Sequence, residues 1–203
     1  MPTGYESIYL GLLPRLAECD FEECAARLAM PRPLDGAITL RFLGRDYRIS
    51  REGIAPLDNK PGNVNNLSVI AYYALSQGAG DVGSEFAPMF TATGSHQVKV
   101  DNLMADPLVR EFGADVGSFE RAATRVGGIR ESSADGKYVW LFRALPKVPI
   151  RIVLYEEDEE FPAEAQILFE RTAKRFMEFE CLAFLAGCLA SALVETSRVS
   201  EHP

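Results

Sequence analysis

Five consecutive carboxylates at positions 156–160 form the densest group of ionisable side chains in the sequence. Clustered carboxylates can bind Mg²⁺ or Ca²⁺, which prefer oxygen ligands, and repulsion between them can raise a pKa for acid–base chemistry. Neighbouring side chains on a strand point to opposite faces, so the five cannot all converge on one ion. We therefore favour a solvated acidic start to a helix at Pro162. Asp158 and Glu160 are kept as candidate ligand-binding residues, and Glu159 joins them in a metal-assisted reaction.

His96 is the one histidine in the body of the chain, because His202 lies in the C-terminal tail. It follows the polar residues 93–95, and its imidazole could act as a general base or as a single metal ligand. An isolated exposed histidine more often does neither. A metal-assisted enzyme requires His96 and the carboxylates of residues 158–160 to face one cleft. Local spacing supplies no set of nucleophile, base and orienting group, so the catalytic residues are unassigned and enzymatic activity stays an open question.

The four cysteines form two pairs with spacings of five and seven residues: Cys19, Cys24, Cys181 and Cys188. No C-x-x-C motif occurs, so the usual zinc and redox signatures are absent. Two turns of a helix separate Cys181 from Cys188, and their apolar neighbours indicate small core residues. A site of four thiolates would require the terminal helices to pack together, and the spacing is atypical for one. We expect reduced thiols.

Trp140 and Arg143 lie close together in a segment that alternates like a β-hairpin, near Tyr138 and Tyr155. An aromatic and a basic side chain there could line a pocket for a planar or anionic ligand. Trp140 fits equally well as a core anchor of a half-buried strand. We carry both interpretations forward.

The glycines Gly78, Gly80 and Gly83 match the spacing of a dinucleotide-binding fingerprint. That motif must follow a strand and open a helix, whose N-terminus then binds the pyrophosphate. Here the glycines follow a helical pattern, so we interpret the segment as a flexible exit from a helix.

Periodicity predicts the elements that must position these side chains. Pro14 is expected to kink or shorten the first helix. Asp20 is expected to cap the second helix, with Glu23 as its capping-box partner. Pro107 is expected to occupy the first position of a later helix. Apolar residues at helical spacing predict helices over 5–18, 20–30, 64–77, 106–126, 162–177 and 180–194. Alternating residues predict hairpins over 36–49 and 138–155, a loop over 53–62, and strand residues within 85–100. This segregation predicts an α+β fold with an antiparallel sheet built from two or three hairpins, packed by N-terminal, central and C-terminal helices. We expect one domain over 1–197 and a frayed tail over 198–203.

Composition narrows the classes of partner. The formal net charge is −8, and no run of Lys and Arg could attract a polyanion, so nucleic acid is not expected as a partner. The N-terminus lacks a basic start and an apolar segment of the secretory type. The apolar stretch 181–194 is too short to cross a bilayer. We therefore expect a cytoplasmic protein without a membrane partner.

The C-terminal half contains the block Leu145-Pro146-Lys147-Val148-Pro149, the acidic turn ending in Phe161-Pro162-Ala163, and then Ile167-Leu168-Phe169-Glu170. This block resembles the C-terminal signature of a family of unknown function from anaerobic bacteria and archaea. The hairpin residues 42–47 and the glycines 127–128 extend the resemblance over nearly the whole chain. Glu157, Tyr155 and Glu170 depart from the Gly, Trp and Asp that are frequent in the family.

The resemblance indicates no enzymatic activity, but it implies a biological context. Some relatives are fused to a four-cysteine iron–sulfur segment, which this chain lacks. We expect a non-catalytic binding or accessory module for a small cofactor, or for a redox or corrinoid protein partner, in anaerobic redox or corrinoid metabolism. A metal-assisted enzyme and a protein-binding scaffold, which would include a homodimer, stay open as alternatives. No particular cofactor is indicated.

Overall fold

The computed structural model describes residues 4–89 and 99–199. His96 and His202 lie outside this part of the chain, so the role of His96 stays a prediction. The fold is α+β, as expected, and its two sheets are both antiparallel. In chain order the helices are α1 Gly4–Ala17, α2 Phe21–Leu28, α3 Val64–Ala74, α4 Lys99–Phe112, α5 Val116–Val126 and α6 Phe179–Val199. The strands are β1 Ile38–Phe42, β2 Arg45–Ser50, β3 Gly53–Pro56, β4 Phe86–Pro88, β5 Gly128–Ala134, β6 Lys137–Leu145, β7 Val148–Tyr155 and β8 Glu164–Glu170.

The start of α2 follows the sequence closely. The Asp20 carboxylate accepts hydrogen bonds from the backbone N–H groups of Glu22 and Glu23, which confirms the predicted cap. The Glu23 carboxylate instead accepts a hydrogen bond from Arg27 one turn later, so its predicted capping-box role is wrong. A helix-favouring Glu–Arg pair at i,i+4 competes for the same carboxylate. Pro14 lies within the last turn of α1 and does not end the helix early.

The smaller sheet has three strands in the order β1-β2-β3, joined by consecutive hairpins. The first hairpin was predicted, but β3 lies in the segment that we expected to be a loop. Ile54 pairs with Ile49 and is buried. The strand is only four residues long and contains Gly53 and Pro56, which are unfavourable in strands, so its composition did not indicate a paired strand. One side of this sheet is buried through alternate apolar residues of β1 and β2: Ile38, Leu40, Phe42, Tyr47 and Ile49.

The larger sheet has five strands in the order β4-β8-β7-β6-β5. The predicted hairpin is β6–β7, whereas β5 was missed because its residues are exposed and lack alternation. The predicted helix over 162–177 is wrong, because most of it forms β8 and a short 3₁₀ turn. Ala165, Ile167 and Phe169 alternate with partly exposed neighbours and face the core. Pairing with β7 and β4 on both edges stabilises this segment as a strand against its helical propensity.

The central helices differ from expectation at one end. Pro107 was predicted to open a helix, but α4 begins eight residues earlier at Lys99 and contains Pro107 in its interior. Lys99 and Val100 are therefore helical and not part of a strand. The expected break near Gly113 is present, since α4 ends at Phe112 and Asp115 caps α5. Gly127 then ends α5 with a left-handed φ of 91°, as its sequence position indicates.

The last helix, α6, is a long apolar element that packs on α3, α4 and α5. Its inward residues are fully buried, among them Leu182, Leu185 and Leu189. The segment 181–194 was judged too short for a membrane, but the helix is longer, and Phe179–Arg198 is long and apolar enough to cross one by length and composition. Its apolar stripe packs on three other helices, so burial in the core of a globular domain also accounts for its apolar composition. Arg198, where the frayed tail was expected to start, donates to the Glu111 carboxylate of α4.

Candidate functional site

The structure places Trp140 and Arg143 in different surroundings. Trp140 on β6 is 5% exposed and belongs to the main core. Its ring meets that of Phe119 on α5 edge to face, with centroids 6.1 Å apart. Arg143 is exposed next to an irregularity in the β6–β7 pairing. The burial of Trp140 favours its interpretation as a core anchor, and a ligand pocket at Trp140 and Arg143 stays a prediction.

The acidic run forms a turn before a strand, so the predicted helix start at Pro162 is wrong. The Asp158 carboxylate accepts hydrogen bonds from the backbone N–H groups of Glu160 and Phe161, which holds the turn in shape. Glu156 accepts a hydrogen bond from the Tyr138 hydroxyl at 3.1 Å. Among the residues that the structure describes, no three His, Cys, Asp or Glu side chains are grouped to hold a metal ion. The turn borders a cavity of about 390 Å³, and Asp158 lines it.

The glycines at positions 78 and 83 allow the backbone to lie close to Arg175 and Glu170. A Cβ atom on Gly78 would overlap the carbonyl oxygen of Arg175. A Cβ on Gly83 would lie 2.5 Å from the carboxylate of Glu170, which is buried and accepts hydrogen bonds from the backbone N–H and hydroxyl of Thr172. The segment follows the end of α3 and opens no helix, as expected, and its glycines allow close contact with Glu170 in β8 and with Arg175 beyond it.

A cavity of about 410 Å³ lies between the start of α3 and one face of α6. Its apolar wall includes Phe179 and Phe184 from α6 and Met104 from α4. Small residues of α6 keep this face open, since Ala183, Gly187 and Ser191 recur along it at a spacing of four. A mainly apolar cavity of this volume falls within the range of small-molecule sites.

Polar groups line the same cavity where α3 begins. Asn63 caps α3 by accepting a hydrogen bond from the backbone N–H of Asn65 at 2.9 Å. The side-chain oxygen of Asn65 is buried, and the described residues offer it no hydrogen-bond donor. Buried acceptors in folded proteins nearly always have a donor, so the oxygen of this cavity-lining residue is an exception to the usual pattern. Glu180 and Glu195 also line the cavity and make its surroundings negative.

Sequence reasoning missed this site because its residues come from three separate helices. The signal that could have pointed to it is the row of small residues along α6, which leaves space beside the helix. The three asparagines at 63, 65 and 66 were a second signal, because Asn is a poor helix former outside the cap.

The cysteines do not form one cluster. All four are buried and free, and they are not arranged as a metal site among the described residues. The thiols of Cys19 and Cys24 contact each other, with their Sγ atoms 2.8 Å apart. Burial raises the pKa of the Cys181 thiol to about 11 and that of the Cys188 thiol to about 12. These two thiols are protonated at neutral pH and behave as small apolar side chains.

Comparison with known proteins gives a family and no activity. A family model described as "Domain of unknown function (DUF3786)" matches residues 20–192. No curated protein and no solved structure matches the chain. The match includes both sheets and most of the cavity between α3 and α6.

Proposed function

Since the chain belongs to the DUF3786 family, whose name states no activity, we propose a function from the geometry of the cavity. In this proposal the protein is a non-catalytic module that binds a small molecule between α3, α4 and α6. The observation that carries it is the unpaired, buried oxygen of Asn65 beside an apolar cavity of about 410 Å³. An acceptor without a donor destabilises the free protein, so a ligand that supplies the donor gains affinity there.

The walls define the chemistry of the ligand. Phe179, Phe184 and Met104 favour an aromatic or aliphatic body. Glu180 and Glu195 disfavour an anion and favour a neutral or cationic group. The expected ligand is therefore a compact, mostly apolar molecule with one N–H or O–H donor for Asn65. A corrinoid is too large for this volume and would act through a partner protein.

The biological setting follows from the resemblance of the C-terminal block. We place the module in anaerobic redox or corrinoid metabolism, in the cytoplasm, as an accessory to a redox or corrinoid protein. A metal-assisted reaction at Asp158, Glu159 and Glu160 is a weaker candidate, because the Asp158 carboxylate already accepts two backbone hydrogen bonds. A scaffold function has no specific observation in its favour.

The test is thermal unfolding of the full chain with a panel of aromatic amines, phenols, flavins, nucleotides, haem and divalent metal ions. A ligand at about 100 times its Kd stabilises a protein by about 2.7 kcal/mol, a shift of several degrees for a chain of this size. We expect saturable stabilisation by at least one neutral or cationic aromatic donor. A panel in which no compound shifts the transition would contradict the proposal.

Two variants locate the binding. Asn65→Leu removes the unpaired oxygen and keeps the branched shape and the number of side-chain heavy atoms, so the free protein should be at least as stable as the wild type and should lose the ligand shift. Ala183→Phe should fill the cavity and abolish the shift. The control is Ser133→Ala on the exposed strand β5, which should keep the full shift. A ligand shift that survives in both cavity variants would place binding elsewhere.

A further inference from the structure

Two cysteines meet where α1 leads into α2. Cys19 precedes the cap residue Asp20, and Cys24 lies in the first turn of α2, so they occupy the two positions that pack together as a hydrophobic staple. Helix geometry alone thus brings them together, and their Sγ atoms lie 2.8 Å apart. A disulfide bond is about 2.0 Å long, so an approach of less than about 1 Å separates this contact from a covalent bond.

We propose that Cys19 and Cys24 form a reversible disulfide in the native protein and act as its redox-sensitive site. The co-reactant is a small disulfide such as oxidised glutathione. One cysteine thiolate attacks the glutathione disulfide, forms a mixed disulfide and releases one glutathione thiolate. The second cysteine thiolate then attacks the protein sulfur and releases the other glutathione. The two cysteines lose two electrons and two protons, and the small disulfide becomes two thiols.

A second observation supports access to the pair. Both cysteines line a cavity of about 360 Å³, whose charged lining residues are Arg15, Arg27, Glu18, Asp20 and Glu23. The Arg27 guanidinium lies 3.7 Å from the Cys24 sulfur and is held there by two hydrogen bonds to the Ser76 carbonyl. The same guanidinium also pairs with the Glu23 carboxylate at 2.7 Å, so the side chain beside the Cys24 sulfur is held in a fixed position.

The rate of exchange is expected to be slow. Burial and the contact with Cys24 raise the pKa of the Cys19 thiol to about 12, so little thiolate is present at neutral pH. Exchange without a catalyst takes minutes to hours, and equilibrium therefore requires long incubation.

The other two cysteines provide an internal control. Cys181 and Cys188 are equally buried, but both lie on α6 and are seven residues apart. At about 1.5 Å of rise per residue their Cα atoms are on the order of 10 Å apart, which is beyond the reach of about 7 Å that a disulfide allows. They should stay reduced wherever Cys19 and Cys24 oxidise.

The experiment is a redox titration of the native full-length chain in buffers of increasing oxidised-to-reduced glutathione ratio, without oxygen. Samples are quenched with iodoacetamide in denaturant, digested with trypsin and analysed by mass spectrometry. Cleavage after Arg and Lys releases both proposed partners in peptide 16–27 and both control cysteines in peptide 176–198. We expect peptide 16–27 to change from doubly alkylated to an internal disulfide that lacks two hydrogens, with full reversal by excess reduced glutathione. Peptide 176–198 should stay doubly alkylated.

Single variants separate a true pair from two independent thiols. Cys19→Ser and Cys24→Ser should each convert the remaining cysteine of that peptide to a mixed disulfide with glutathione that does not resolve. The proposal is overturned if peptide 16–27 stays doubly alkylated at the most oxidising ratio, or if it oxidises only after the protein has unfolded. Both outcomes are independent of ligand binding at Asn65.

Discussion

Replacement of Tyr73 by Phe tests how the N-terminal helices are joined to the larger sheet. The Tyr73 ring is fully buried on α3. Its hydroxyl donates to the Leu28 carbonyl at the end of α2, at 2.7 Å, and accepts from the Lys147 backbone N–H in the β6–β7 turn, at 2.9 Å. One hydroxyl therefore satisfies a backbone group from each of two distant elements.

The expected loss of stability follows from these two partners. Phe fills the same space, so no cavity is made, but a buried carbonyl and a partly buried N–H lose their partner. A buried polar group left without one costs about 1–3 kcal/mol, and water can reach the Lys147 N–H more easily than the Leu28 carbonyl. We expect Tyr73→Phe to lower the free energy of unfolding by about 2–4 kcal/mol, which lowers Tm on the order of 10 °C.

Urea unfolding followed by tryptophan fluorescence measures the effect, because Trp140 is the one tryptophan of the chain and is buried. The control is Tyr72→Phe at the next position, which removes the hydroxyl of a partly exposed side chain. Burial raises the pKa of Tyr73, so the phenol stays protonated and the difference should not vary near neutral pH. A Tyr73→Phe variant as stable as the Tyr72→Phe variant would refute the reasoning.

Two further predictions concern packing and pH. Gly78→Ala should destabilise the protein by about 3 kcal/mol in urea unfolding, because the new methyl group overlaps the Arg175 carbonyl. Gly11→Ala, at an exposed position of α1 where a Cβ meets nothing within 4 Å, should stabilise it by about 0.5–1 kcal/mol, and equal effects of the two changes would contradict this account. Hydrogen bonds from Arg45 lower the pKa of Asp58 below its usual 3.8. The stability from this pair should be complete above pH 3.8 and be lost as the pH falls through the lowered pKa. A carboxyl NMR titration that gives Asp58 a pKa of 3.8 or more would contradict this account. An Arg45→Lys variant with the same Asp58 pKa as the wild type would contradict it as well.

The local part of the fold could be predicted from the sequence because its causes are local. Asp20 caps α2 and Gly127 ends α5 through bonds to residues a few positions away. The β6–β7 hairpin likewise joins segments that are neighbours in the chain. The α+β class followed from these elements together.

The tertiary structure decided what depends on partners that are distant in the chain. Residues 164–170 have a helical propensity, and pairing with β7 and β4 overrides it. The environment of Trp140 depended on α5, whose Phe119 ring contacts the Trp140 ring. The cavity beside Asn65 joins residues more than 100 positions apart. Caps and turns are encoded by neighbours, whereas strand pairing, burial and the binding cavity arise only when the whole chain has packed.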